Sequence, residues 1–283
     1  MKVKAVWDLL RLEHGIMYGI GVIIGVIIST KDFHLIKIFL GFFTALFLQA
    51  SAFSLNDYVD YEVDLKNRRF DRPLVRGDLK RSDALLFSVI LAPPGFFASY
   101  LISTKALLFA ILITLLGYLY NIKIKEMGLI GNFYIALSMA APFIFGGIIA
   151  IDGINTTVII VSLLAFLSGV AREVMKGIED VEGDALRDVK SIARTKGVKF
   201  ASNFSALMFL GVVVLSFIPF LFIKEYFFDP KYLIPVILAD LILVKTSHAL
   251  FSKHVAPSDI KKFRKDTLIA FLFGLIGFIW GSF

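Results

Sequence analysis

The chain has 283 residues, 58% of them hydrophobic, 14% aromatic and 19% charged, with a formal net charge of +7 and no cysteine; its mean hydropathy is +0.80. Such a composition excludes a water-soluble enzyme, and the missing cysteines exclude disulfides, thiolate nucleophiles, Fe–S clusters and Cys-ligated zinc. The apolar runs are apolar all round rather than alternating, which excludes a membrane β-barrel as well.

In chain order the apolar runs predict nine membrane-spanning helices, at residues 16–30, 35–55, 84–103, 106–120, 129–151, 156–171, 203–223, 232–251 and 267–283. Most are long enough to cross a hydrocarbon layer of about 30 Å as helix. The first, fourth and sixth are short, so they are expected to run on into flanking polar turns or to lie in a protein-enclosed site. Pro93 and Pro94 predict a kink in the third. The first run is read as a span, since no small-residue cleavage site ends it. With this topology 25 of the 30 Lys and Arg residues fall on the side of the N-terminus and 5 on the other. The positive-inside rule therefore places the N-terminus in the cytoplasm. The charge needs no nucleic-acid partner; one face of a lipid bilayer accounts for it.

Two segments on that cytoplasmic side carry carboxylates in helical rhythm. The first runs from Asn56 to Asp64 and places Asp57, Asp60 and Asp64 on one helix face. In the second, Asp180, Asp184 and Asp188 are spaced by four. The two are offset by 124 residues and each follows an even-numbered span, which suggests an internal repeat of a four-helix unit within a single domain 1–283. Six like charges in two stripes repel unless something positive sits between them. Mg2+ is the natural counter-ion, because it takes oxygen ligands and binds through carboxylates together with substrate phosphates, so the pair of clusters predicts a diphosphate substrate. Bases stand ready for one: Arg68, Arg69 and Arg72 after the first motif, Lys123 and Lys125 after the fourth span beside Tyr118 and Tyr120, and Arg172, Lys176, Lys190 and Arg194 around the second motif.

Three patterns together carry a family resemblance: N-D-x-x-D-x-x-x-D at residues 56–64, N-R-x-x-x-R-P-x-x-x-G at 67–77 and D-x-x-x-D at 180–184. With them the chain resembles the UbiA superfamily of intramembrane prenyltransferases along its whole length. Residues 120–132 and 177–184 are most similar to its archaeal ether-lipid branch. The family's Y-x-x-x-K motif is not met literally, since lysines follow Tyr120 at Lys123 and Lys125.

The resemblance implies an all-α helical bundle that is a multi-pass cell-membrane protein. It also implies an enzyme that transfers a geranylgeranyl group from geranylgeranyl diphosphate to geranylgeranylglyceryl phosphate at the cytoplasmic face. Two Mg2+ ions would be held by Asp57, Asp60, Asp64, Asp180 and Asp184, with Asn56 assisting. Tyr118 or Tyr120 would face the allylic cation, Asp188 or Glu182 would take the acceptor's proton, and Arg68, Arg69, Arg72, Lys123, Lys125, Lys176 and Lys190 would contact substrate phosphate. An aromatic acceptor is the rival within this class. A cation transporter is the rival outside it, kept open by Asp240 in the middle of the eighth span. The structural expectation for Asp240 is a buried carboxylate hydrogen-bonded to a neighbouring helix. Residues 253–265 are read as a solvated loop, with an interfacial amphipathic stretch over the active site as the alternative.

Overall fold

The structure is a computed structural model that describes residues 3–181, 189–252, 255 and 257–283. Every long element in it is a helix. In chain order they are α1 (Val3–Leu10), α2 (Leu12–Ile27), α3 (Leu35–Lys66), α4 (Arg81–Ile102), α5 (Thr104–Ile122), α6 (Leu129–Ile151), α7 (Thr156–Glu179), a short α8 (Ile192–Lys196), α9 (Val198–Phe222), α10 (Pro230–Leu250) and α11 (Pro257–Gly281). Among the described residues seven helices are long and apolar enough to cross a membrane, and α1 with α2, bent by 49°, makes an eighth if the pair is one span. The chain is an all-α, multi-pass membrane bundle.

The sequence explains where the helices begin. The Ser103 hydroxyl accepts from Ala106 N at 3.2 Å to start α5, and the Asn155 side chain accepts from Val158 N at 2.9 Å to start α7. At α10 the Asp229 carboxylate accepts from Lys231 N at 2.9 Å, with Pro230 in the first helical position, where its missing N–H is no loss. The short apolar runs do extend into polar flanks, α5 to Ile122 and α7 to Glu179. α4 continues without a break through Pro93 and Pro94. The loop expected at 253–265 is corrected for its second part: α11 begins at Pro257, so residues 257–265 are helical, and Arg264 there donates to Glu179 of α7 at 3.0 Å.

Two compact units divide the chain, one made of Met1–Ile124 with Ala141–Ile154, the other of Lys125–Ala140 with Asn155–Phe283. In the first, α3 packs against α2, α4 and α5, and α1 lies on α3. One apolar cluster, of Ala5, Leu9, Leu10, Ala50, Leu74, Leu79 and Ala84, glues α1 and the loop after α3 to α3 and α4. A second joins Val22 and Val26 of α2 to Ile102, Ala106, Phe145, Ile148 and Ile149. Here the close approach is made by glycine: a Cβ on Gly25 would stand 2.5 Å from the Phe143 carbonyl oxygen and 2.9 Å from its Cα. Those are backbone atoms that no side-chain rotation can move aside, so Gly25→Ala is expected to destabilise the protein by about 1–3 kcal/mol, read as a lowered melting temperature in detergent. An unchanged melting temperature would show that α2 and α6 can part without cost.

In the second unit α7, α9, α10 and α11 pack around a core that includes Val170, Val174, Met175, Phe209, Leu243 and Ile260. Near one end, the Tyr232 hydroxyl donates to the Ser216 carbonyl at 2.6 Å, and the Tyr226, Tyr232 and Phe278 rings pack with centroids 5.0–5.4 Å apart.

Candidate active site

α3 is what positions the first acidic motif. Its 32 residues make a rod of roughly 48 Å at 1.5 Å per residue, far longer than the hydrocarbon layer. The apolar part ends near Leu55, and the same helix carries Asn56 to Asp64 onward, so the carboxylates stand on a rigid element rather than on a loop. Asp57 and Asp64 are buried and Asp60 is half-buried.

The carboxylates are not left to repel one another. Arg11 donates through Nη2 to Asp57 Oδ1 at 2.5 Å, and Asp57 is 2% exposed while Arg11 is 14% exposed. Arg72 stands between two of them, with Nη1 3.6 Å from Asp57 Oδ1 and Nε 3.7 Å from Asp64 Oδ2. The positive charge that the spacing of the aspartates calls for is thus supplied, for Asp57, by the chain's own arginines. Arg11 is held in turn by the Phe53 ring, whose centroid lies 4.3 Å from its Cζ. It occupies the break between α1 and α2 in the left-handed region, with φ 45°.

Asn56 is the hub of the polar side. Its Nδ2 donates to Asp60 Oδ2 at 3.0 Å and to Asn121 Oδ1 at 3.2 Å, while its Oδ1 accepts from Arg11 Nη2 at 3.4 Å. Asn121 is buried and donates to the Ala52 carbonyl at 2.8 Å. One turn earlier on α5, the Tyr118 hydroxyl lies 2.6 Å from Ser51 Oγ. Ser51 spends its own proton on the Ser88 carbonyl at 2.6 Å, so Tyr118 is the donor. α5 therefore grips α3 at two points a turn apart, and the grip sets the orientation of Asn56 and, through it, of Asp60.

The loop after α3 folds on itself through arginine. Arg69 pairs with Asp71 in a two-pronged contact of 2.9 and 2.8 Å, and this hydrogen bonding holds the Asp71 carboxyl at about 2. Arg76 reaches Asp78 at 2.8 Å, Asp8 of α1 at 2.7 Å and the Asp71 carbonyl at 3.0 Å. Arg81 donates to the Tyr58 carbonyl at 3.1 Å and lies over the Tyr58 ring. Of the three arginines expected to meet substrate here, then, Arg72 faces the aspartates, Arg69 is bound to Asp71 and Arg68 is exposed at φ 52°.

In the second unit Asp180 caps the end of α7 and is half-buried. Asp184 and Asp188 of the second motif, with Glu182, lie outside the described residues. Lys176 sits one turn before Asp180, 3.9 Å from Glu173. Lys190 is exposed, and its backbone N–H donates to the Glu126 carbonyl at 3.3 Å, which brings the Lys125 turn alongside it. Gly128, at φ 60°, makes that approach possible, since a Cβ there would run into the Lys190 carbonyl. Lys123 is exposed, and Lys125 and Tyr120 are half-buried.

Among the described residues no three Asp, Glu or His side chains gather as a ready set of metal ligands. The donor chemistry of the first motif nevertheless fits a hard divalent cation: it is all oxygen, and Asp57 Oδ2 is buried without a hydrogen-bond partner.

Residues 18–279 match the UbiA prenyltransferase family. The chain belongs to that family. Among its UbiA relatives, the digeranylgeranylglyceryl phosphate synthase of Archaeoglobus fulgidus is 53% identical over 282 residues, covering 99% of this chain and 96% of the relative. A solved structure of a digeranylgeranylglyceryl phosphate synthase in membranes superposes with a TM-score of 0.84 at 33% identity, covering 99% of this chain and 98% of that one. A UbiA homologue from Archaeoglobus fulgidus, solved bound to DMAPP and Mg2+, shares the fold at 20% identity with a TM-score of 0.70, covering 98% and 99%. Within the UbiA frame, Arg11 and Asn121 are the site residues that the sequence reading left without a role. Asn121 closes an apolar run that needs no amide, which was the available signal. For Arg11 the signal was weaker, a single base between two apolar stretches.

Proposed function

We propose that the chain transfers a geranylgeranyl group from geranylgeranyl diphosphate to the free hydroxyl of geranylgeranylglyceryl phosphate, with Mg2+ as cofactor. The observation that carries this reading is the 53% identity, over 99% of the chain, to a digeranylgeranylglyceryl phosphate synthase. Support for the metal comes from the oxygen donors of the first motif and from the fold relative solved with DMAPP and Mg2+. The finer topology belongs to the same proposal: one domain of nine spans, with the apolar part of α2 as the first and the apolar end of α11 as the last, the N-terminus in the cytoplasm and the active site on that side, where the bases concentrate.

Asp57, Asp60, Asp64, Asp180 and Asp184 would hold the metal, which when bound neutralises charge on the departing diphosphate. Asn56 fixes the Asp60 carboxylate by its 3.0 Å hydrogen bond, and Asn121 fixes Asn56. Arg72, Lys123, Lys125, Lys176 and Lys190 add positive charge for the phosphates. As the allylic C–O bond breaks, diphosphate leaves with the electron pair; the acceptor oxygen then bonds to the allylic carbon and gives up its proton to Asp188 or Glu182, the bases proposed for it. The Tyr118 hydroxyl is committed to Ser51, so its contribution is a fixed ring and a fixed α3.

Asp240 lends no support to an ion path. Its carboxylate accepts from Ser216 of the neighbouring α9 at 2.8 Å, as a buried structural group would.

The test is transfer by the purified protein in detergent, with and without Mg2+. Expected is the doubly prenylated glycerol phosphate, formed with metal and lost on chelation. Product from an aromatic acceptor in place of geranylgeranylglyceryl phosphate, or metal-independent turnover, would overturn the proposal.

A further inference from the structure

The C-terminal third of α7 holds an arginine whose buried Nε donates to nothing. Arg172 Nε is buried and has no hydrogen-bond partner, and among the described residues no carboxylate pairs with Arg172. Its charged neighbours are Arg264 of α11, which repels it, and Glu173, which attracts it from beyond ion-pair distance. Glu173 is the nearest anion to Lys176 instead, at 3.9 Å, and Glu179 is taken by Arg264 at 3.0 Å and Lys261 at 3.8 Å. Among the described residues four cations thus share two glutamates at this place, and Arg172 is the one left over. A desolvated N–H donor of a cation without an acceptor is costly, so an anion from outside the chain is the group that would complete it.

The helix packed against α7 holds unpaired donors as well. The first turns of α9 lie in the same core as Ala171 and Val174, through Ala201 and Ala206. In those turns the Ser202 and Ser205 hydroxyls are also buried with no hydrogen-bond partner. Spacing does the rest: Arg172, Lys176 and Asp180 follow one another at intervals of four and share a face of α7. Lys176 is about 6 Å and Arg172 about 12 Å along the axis from Asp180.

Resting on the function proposed above, we infer that Arg172 and Arg264 form the seat for the phosphate monoester of the acceptor. The donor's diphosphate has metal to balance its charge, while the acceptor's phosphate dianion has none allotted and needs cations of its own. Arg172 offers its guanidinium and Arg264 the N–H groups that its Nη1 contact with Glu179 leaves over, donors suited to phosphate oxygens, and Lys176 lies between Arg172 and the aspartate end of the helix.

The experiment compares wild type with Arg172→Gln, Arg172→Lys and Arg264→Gln. It measures KM for each substrate and the preference for geranylgeranylglyceryl phosphate over its dephosphorylated alcohol. Arg172→Gln is expected to raise KM for the phosphorylated acceptor roughly 10- to 100-fold, the worth of one lost charge-assisted contact, and to cut the preference equally. KM for geranylgeranyl diphosphate should stay within about twofold, and Arg172→Lys should recover part of the loss. Inorganic phosphate should also raise the melting temperature of wild type and not of Arg172→Gln, a readout that needs no turnover. An acceptor KM that does not move, or a rise confined to the diphosphate, overturns the assignment. Should Arg172→Gln fail to fold, Arg264→Gln, whose side chain is 34% exposed, decides by the same comparison. If wild type makes no product yet shows the phosphate-dependent shift that Arg172→Gln lacks, the anion seat stands and the reaction assigned to the chain falls.

Discussion

Asp60→Asn is expected to lower geranylgeranyl transfer by at least about 100-fold, the scale seen when one charge-stabilising group is removed from an active site, and to leave the melting temperature close to wild type. The contrast follows from what Asn keeps and what it loses. Asp60 Oδ2 accepts from Asn56 Nδ2 at 3.0 Å, and an asparagine carbonyl can accept the same bond. Folding is further helped by the loss of a like charge between Asp57 and Asp64, three residues before and four after on the same face. What disappears is the negative oxygen that a divalent cation would bind. Transfer assays with Mg2+ titrated from micromolar to millimolar, set beside thermal unfolding of the same preparations, check both halves. Near-normal turnover in the variant would remove Asp60 from the metal site, and a large loss of stability would recast it as a structural residue.

The parts of this protein that were legible in its sequence are those that depend on neighbours along the chain. α3 and α6 begin at the residues where the apolar runs begin, Leu35 and Leu129, because a membrane-length apolar run has little choice but to be helical and satisfy its own backbone. The acidic face of residues 56–64 was readable for a similar reason, since helical spacing alone places Asp57, Asp60 and Asp64 together. Helix ends were harder to read. α7 runs on eight residues past its apolar stretch to Glu179, and α11 begins at Pro257 amid lysines, because charged residues carry a helix as readily as apolar ones once it is nucleated. What holds that polar turn of α11 is Arg264 meeting Glu179, 85 residues away, and no local pattern announces such a contact. Arg11 is the sharpest case. Counted along the chain it is one more cytoplasmic base, and only the fold brings it to Asp57, 46 residues on.

That pairing gives the largest expected effect on stability. Arg11→Met leaves the Asp57 carboxylate, 2% exposed, without its closest counter-charge. Breaking a buried pair from one side typically costs about 3–5 kcal/mol. Arg72, 3.6 Å from the same oxygen, offsets part of this, so a loss of roughly 2–4 kcal/mol is expected here. Adding Asp57→Asn to Arg11→Met should restore much of the melting temperature, because the orphaned charge is gone; a double variant no better than the single one would show that Arg11 stabilises by packing on Phe53 alone. A third variant separates the backbone from the charge. Arg11 has φ 45° at the bend between α1 and α2, a conformation that costs a residue with a Cβ about 1–2 kcal/mol and glycine almost nothing. Arg11→Gly should therefore melt above Arg11→Met by that margin, although it removes the same guanidinium. Equal melting temperatures would mean that the bend relaxes once the ion pair is lost, and that Asp57 is what holds Arg11 in its strained geometry.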